Sequence, residues 1–209
     1  DAIYREGGRN LLTGLQNWIE DLDRLAGGRP PVGAESFRPG HEVAITKGKI
    51  IFRNSLIELI QYKPSTSDVR PEPLLIVPAW IMKYYILDLS PKNSLIQYLV
   101  NQGFTVFAIS WKNPDPESRD LGLDDYHKLG ILSALKVITA VVPDTKVHGV
   151  GYCLGGTLLA ITAAALARDR NSPFKTLSFL AAQIDFTEPG ELQLFMNESQ
   201  LRFLEDMMW

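Results

Sequence analysis

At 209 residues with a formal net charge of −3, the chain is about one domain of polypeptide, large enough for a real core, and it carries no basic footprint for nucleic acid. Its 45% hydrophobic and 22% charged residues are an ordinary globular composition, and no apolar run reaches the roughly 18 residues of a transmembrane helix. One cysteine, Cys153, excludes an internal disulfide and a thiolate metal site, and the amino terminus lacks the apolar core of a secretory signal, so a cytoplasmic protein without a bound metal is expected. The chain opens on Asp1 rather than methionine, which suggests a segment of something longer.

Residues 10–26 carry Leu11, Leu15, Trp18, Leu22 and Leu25 at three- and four-residue steps. That spacing predicts an amphipathic helix, ended by Gly27-Gly28, whose stripe packs onto the domain. Residues 42–46 and 50–52, around Lys47-Gly48-Lys49, read as a hairpin, and 56–62 as a further strand at the same antiparallel sheet edge. The stretch 65–73, with prolines at and beside its ends, is a loop. From there strands and helices alternate. Apolar runs at 74–77, 105–110, 147–151 and 176–181 have the continuity of strands buried on both faces. Helices are expected at 90–101, with Ser90 as cap and Pro91 in the first turn, at 124–142 and at 154–168. This alternation means a mainly parallel α/β sheet with helices on both faces. After Asp185 the texture changes. Residues 186–209 show no sheet-type strand, but Leu192, Phe195, Met196, Leu201, Leu204, Met207, Met208 and Trp209 make an apolar tail. Such a tail implies a partner or a polypeptide that continues.

The chemistry centres on Gly151-Tyr152-Cys153-Leu154-Gly155. It lies between an expected strand and an expected helix, which is the setting of a nucleophile elbow, with cysteine in the usual serine position. A tight strand-to-helix turn strains its central residue and needs small neighbours two positions away on each side. The helix N-terminus beside the thiol favours a thiolate and a developing oxyanion. One oxyanion donor is the backbone N–H of Leu154, and the other is expected from Ala79, Trp80 or Ile81 in the loop after the 74–77 strand. The bland alternative is a buried structural cysteine at a glycine-rich turn.

A cysteine nucleophile on this scaffold requires a base and an orienting carboxylate, which in the usual order follow it in sequence. No histidine follows Cys153; His41, His127 and His148 all precede it and are read as structural. Asp185 is either an alternative acid or a carboxylate that orders its own loop. Lys112 and Arg119 are candidates for the phosphates of a ligand, but exposed cations of this kind usually meet water. Tyr84, Tyr85 and Asp88 are read as packing and capping residues.

Four blocks make the chain recognisable. VPAWIMKYYILDLSPKNSLIQYLVNQGFTVFAISWKNPD, DDYHKLGILSAL, GYCLGGTLLA and AAQIDFTEPGEL, together with AITKGKIIFRNSLIELIQY nearer the amino terminus, resemble polyhydroxyalkanoate synthases. The resemblance spans essentially the whole chain and is closest to the class using short-chain 3-hydroxyacyl-CoA. Ala79 stands where the family usually has a second proline, and Met82 where a polar residue is common. The resemblance implies an α/β-hydrolase core at 41–185, after an amino-terminal helix and linker at 1–40, with 186–209 as the beginning of a cap. The family's catalytic aspartate and histidine lie in sequence beyond these blocks, so only Cys153 carries over. It further implies an acyltransferase that joins (3R)-hydroxyacyl-CoA units into a polyester through a Cys153 thioester, with CoA as part of the substrate and no cofactor. Homodimer formation and association with polymer granules in the cytoplasm are implied as well. The rival readings are a dienelactone-hydrolase-like cysteine hydrolase, and a non-catalytic relative that binds granules or dimerises.

Overall fold

The apolar runs at 74–77, 105–110, 147–151 and 176–181 assemble side by side in one sheet; the first three are buried as expected, while the last is an edge strand exposed along most of its length. The structure, a computed structural model, describes residues 2–170 and 172–208; Trp209 and the side chains of Leu192, Phe195 and Met208 lie outside the described residues, and with them part of the expectation for the apolar tail. In chain order the elements begin with α1 (Ala2–Glu6), α2 (Arg9–Ala26), β1 (Gly48–Arg53), β2 (Ile57–Tyr62), β3 (Leu74–Val77), β4 (Asp88–Ser90), β5 (Asn93–Ser94), α3 (Leu95–Asn101) and β6 (Val106–Trp111). They continue with α4 (Leu123–Asp125), α5 (Ser133–Val141), β7 (Val147–Tyr152), α6 (Leu154–Arg168), β8 (Phe174–Leu180) and α7 (Glu198–Met208). Two compact units result, one from residues up to 47 with 87–98, the other from 48–86 with 99 onward.

In the first unit α2 runs as its spacing predicts, but none of its residues is buried. Leu11, Leu15 and Trp18 are each more than half exposed, which corrects the expectation that this stripe packs down. Residues 42–46 are not a strand. Their backbone is bonded to Asp88 rather than to a ladder: Ala44, at φ 54°, donates its N–H to the Asp88 carbonyl at 2.8 Å, and the Thr46 N–H and hydroxyl donate to the carboxylate at 3.1 and 2.7 Å. The Ser94 hydroxyl donates to the same carboxylate at 2.6 Å and accepts the Gln97 N–H at 2.9 Å. Ser94 is therefore the cap of α3, and the helix begins at Leu95 rather than Ser90 because Ser90 and Pro91 are used in the turn of the β4–β5 ribbon.

The second unit holds a six-stranded sheet in the order β1-β2-β6-β3-β7-β8. β1 and β2 form an antiparallel hairpin at one edge, β2 pairs antiparallel with β6, and β6, β3, β7 and β8 are parallel. The hairpin is thus β1–β2, one strand later than the sequence suggests. Its tip is closed by Asn54, whose side-chain oxygen accepts the Leu56 and Ile57 N–H groups, each at 2.8 Å. The β6→β7 and β7→β8 connections cross the sheet in one direction and the β3→β6 connection in the other, so right-handed crossovers place them on opposite faces. Leu75, Val77, Phe107 and Ile109 are inaccessible to solvent, as strands covered on both faces should be.

The helix expected at 124–142 is helical throughout but not α-helical throughout. Tyr126–Leu132 is a π-helical stretch between α4 and α5. A Cβ at Gly130 would lie 2.5 Å from the Trp111 ring, so only glycine lets this segment pass so close to the indole.

Asp88 is fully buried and its hydrogen-bond partners are neutral donors. Asp88→Ala would leave them without an acceptor, and urea unfolding should show a loss of about 2 kcal/mol or more. A loss below about 0.5 kcal/mol, the ordinary range for surface changes, would show that the network does not hold this unit.

Candidate active site

Three parallel strands bring the site to one edge of the sheet. β3, β6 and β7 end at Val77, Trp111 and Tyr152, and the loops that follow carry Ala79–Ile81 in sequence, Lys112 and Cys153. Open parallel sheets bind ligands beyond the carboxyl ends of their strands.

Cys153 is the single residue between β7 and α6, with φ 54° and ψ −129°. That conformation is costly for a residue with a Cβ. Close backbone approaches impose it. A Cβ at Gly155 would sit 2.2 Å from the Val77 carbonyl oxygen, one at Gly151 would sit 2.4 Å from Gly156 Cα, and one at Gly156 would sit 2.5 Å from Ala182 Cβ. The spacing identifies Gly151 and Gly155 as necessary; Gly156 is the third, and its signal was the doubled glycine in the sequence. The Cys153 N–H donates to the Leu180 carbonyl at 2.9 Å, and the Thr157 hydroxyl donates to the Gln183 carbonyl at 2.6 Å, which ties the turn to the end of β8. Cys153 is partly exposed, at the N-terminus of a 15-residue helix whose Leu154 and Gly155 N–H groups have no acceptor within the helix, while the Gly156 and Thr157 N–H groups donate to the Cys153 carbonyl at 2.8 and 3.2 Å. A thiol there is reachable, faces positive partial charge, and has backbone donors beside it.

The loop after β3 is packed from below. Ala79 is fully buried and Trp80 half-buried, while Ile81 is 66% exposed on the rim. The Trp80 ring lies 5.3 Å from Tyr126, and Tyr126 lies 5.3 Å from Trp111, centroid to centroid. The buried Trp111 Nε1–H donates to the Pro78 carbonyl at 2.7 Å. The Ala79 carbonyl accepts from Met82 N–H at 3.1 Å, and no hydrogen bond uses the N–H of Ala79, Trp80 or Ile81 among the described residues. Trp111, Tyr126 and Gly130 are the part of this arrangement that sequence reasoning misses. They come from elements far apart in the chain, and no local spacing announces them.

The two histidines of this unit stand elsewhere. His127 Nδ1 lies 2.9 Å from the hydroxyl of buried Thr162, which is nine positions past Cys153 and so about 13 Å along the helix. His148 Nδ1 lies 2.7 Å from the Thr176 hydroxyl, five positions before Cys153 and about 16 Å along a strand. His41 belongs to the other unit. Asp185 accepts the Thr187 N–H at 3.0 Å and the Thr187 hydroxyl at 2.7 Å, and these bonds, the backbone one first, hold its carboxyl below the usual range. It orders its own loop.

Beyond β6 a cavity of about 400 Å3 is bordered by Arg53, Glu58, Trp111 and Lys112. Its cations are already engaged. Arg53 pairs with Glu58, and Lys112 pairs with Asp115 at 2.7 Å. Arg119 lies 3.8 Å from Asp120. Among the described residues no group of three or more His, Cys, Asp or Glu side chains is placed to hold a metal ion, and no helix is long and apolar enough to cross a membrane.

Two protein families match this sequence. The amino-terminal family of poly-beta-hydroxybutyrate polymerase (PhaC) matches residues 2–99, and the alpha/beta hydrolase fold family matches residues 72–208. Among curated proteins, the chain is 47% identical to the poly(3-hydroxyalkanoate) polymerase of Methylorubrum extorquens, over 97% of its own length and 34% of the relative's. It is 41% identical to the corresponding polymerase subunit of Rhizobium etli over 99% of the chain and 33% of the relative, and 37% identical to that of Cupriavidus necator over 97% and 34%. The chain therefore spans about a third of the length of these relatives.

The Lys112–Asp115 loop yields a pH prediction. Lys112, and then the Ser118 hydroxyl, hold the Asp115 carboxyl down at about 2, below its ordinary 3.8. A depressed carboxyl stabilises the fold above its unfolded value, and that contribution disappears as pH falls through the folded value. Carboxyl-carbon NMR titration should place the Asp115 midpoint near 2, and Lys112→Met should raise it toward 3.8. An unmoved midpoint in that variant would refute the assignment.

Proposed function

The chain belongs to the α/β-hydrolase fold family and, within it, to the poly(3-hydroxyalkanoate) polymerases, and on that premise we propose that it supplies the nucleophile of polyester synthesis from (3R)-hydroxyacyl-CoA. The observation that carries the proposal is the position of the chain's one cysteine, alone between β7 and α6 at φ 54°. The Cys153 sulfur attacks the thioester carbonyl. The carbonyl oxygen becomes an oxyanion facing the Leu154 N–H and an N–H of the 79–81 loop, with Ala79, Trp80 and Ile81 as its candidate residues. Collapse breaks the bond to coenzyme A, which leaves as its thiol, and the acyl group stays on Cys153 as a thioester. The 3-hydroxyl of another unit then attacks that thioester. An ester bond forms, the sulfur–carbon bond breaks, and the hydroxyl proton returns to the thiol through a base. Sulfur suits this exchange because a thioester is a good acyl donor to an alcohol where water is excluded.

No cofactor takes part, since CoA enters and leaves as part of the substrate. The working surroundings of such a protein are the cytoplasm and the surface of a polymer granule, with a second copy as partner. In the complete protein that carries this sequence, Cys153→Ala should lower both CoA release and polymer formation from (3R)-3-hydroxybutyryl-CoA by about a thousandfold or more. Retained polymer synthesis would overturn the nucleophile assignment. CoA release without polymer from the unaltered protein would favour the hydrolytic reading.

Neither His127 nor His148 stands within reach of Cys153, so neither can take the thiol proton. The 209-residue chain alone should therefore release no detectable CoA from this substrate. Turnover by it would show that a base has been overlooked.

A further inference from the structure

We propose that Trp111 is the positioning residue of the oxyanion loop: its indole N–H fixes the peptide plane between Pro78 and Ala79, and Gly130 in the π-helical turn at Tyr126–Leu132 leaves room for its ring. The inference rests on the reading of Cys153 as the nucleophile and deepens it.

A loop that donates backbone N–H groups to a developing charge must hold them still, because the electrostatic gain depends on their not reorganising during the reaction. The loop after β3 begins with Pro78, which has no N–H and cannot be held from that side. Its carbonyl is the handle. Trp111 Nε1 donates to it at 2.7 Å inside the protein, the indole being only 8% exposed. A peptide group is planar and trans, so pinning the carbonyl oxygen fixes the opposite direction for the Ala79 N–H. Ala79 is fully buried, and no acceptor among the described residues takes its N–H. Buried N–H groups are rarely left unpaired, so the Ala79 N–H stands out as the buried loop donor without a protein partner among the described residues. The same carbonyl lies against the elbow, since a Cβ at Gly155 would come within 2.5 Å of the Pro78 oxygen. The handle is thus held between the indole on one side and the start of α6 on the other.

The indole is itself held. Tyr126 lies between Trp80 and Trp111, 5.3 Å from each, and Gly130 gives up its side chain to the Trp111 ring. The widened turn is further anchored by the Asn54 side-chain amide, which donates to the Leu129 carbonyl at 2.8 Å. A regular α-helix carrying any larger residue at position 130 would push the ring, and the ring would carry the carbonyl with it.

The test separates the hydrogen bond from the packing. In the complete protein, Trp111 is replaced by β-(3-benzothienyl)alanine, which keeps the ring shape and loses only the N–H, and in a second variant by phenylalanine. With (3R)-3-hydroxybutyryl-CoA the isosteric variant should lose about tenfold or more in kcat, with KM little changed. The rate at which iodoacetamide alkylates Cys153 needs no oxyanion donor, and it should stay as in the unaltered protein. Trp111→Phe should show the same split, deepened by its smaller ring. Equal losses in kcat and alkylation, or an unchanged kcat in the isosteric variant, would overturn the proposal. Cys153→Ala is measured alongside. If it retains activity the nucleophile reading has failed; if it is inactive while the isosteric variant is fully active, only the positioning role has failed.

Discussion

Backbone meets backbone where α6 starts. Nothing larger than hydrogen fits at Gly155 against the Val77 carbonyl, or at Gly151 against Gly156, so the helix is pressed onto the ends of β3 and β7 as closely as main chains allow. Cys153 spans the turn that this contact leaves, with its backbone in a region that costs about 1–3 kcal/mol. The cost is borne because the helix that follows is deeply seated. Leu158 and Leu159 are completely buried, and each such side chain contributes about 1.5–3 kcal/mol on leaving water. Burial therefore outweighs strain, and the strained turn persists in the folded protein.

That geometry decides what surrounds the sulfur. The close approach brings the first N–H groups of α6, the end of β3 and the end of β8 around one point, through the Cys153 N–H to Leu180 and the Thr157 hydroxyl to Gln183. It supplies backbone dipoles. The histidines of this unit do a different job, each paired to a threonine hydroxyl on a neighbouring element, His127 across to α6 and His148 across to β8. Their distance from the turn follows from where those threonines sit, one two helical turns along α6 and the other near the opposite edge of the sheet.

The elements that were legible in the sequence are those whose pattern is local. The buried strands are short apolar runs, α6 follows its glycines, and the elbow is written in five consecutive residues. Where one residue settles a contest between two structures, local pattern is silent. Residues 42–46 alternate like a strand, yet Asp88, some 42 positions away, takes the Thr46 donors and draws the segment out of any ladder. Ser90-Pro91 looks like a helix start, yet Ser94 is the residue bonded to both Asp88 and the Gln97 N–H. The role of Gly130 was illegible for the same reason, because a glycine there is a defect in a helix until the Trp111 ring is placed against it. The amphipathic stripe of α2 misled in another way: periodicity shows that a face is apolar but not what covers it.

The two loops that flank the end of the sheet differ in kind. The 78–81 loop is held by a buried indole–carbonyl bond and an aromatic layer; leaving such a buried group unpaired costs about 1–3 kcal/mol. The 112–118 loop is held by the exposed Lys112–Asp115 pair, which salt weakens, and by the Ser118 hydroxyl donating to Asp115. A bond buried from water resists displacement, whereas an exposed ion pair exchanges readily with water. In the proposed reaction charge develops at one fixed point, so the loop held by the buried bond is the one fit to keep its donors still while it does.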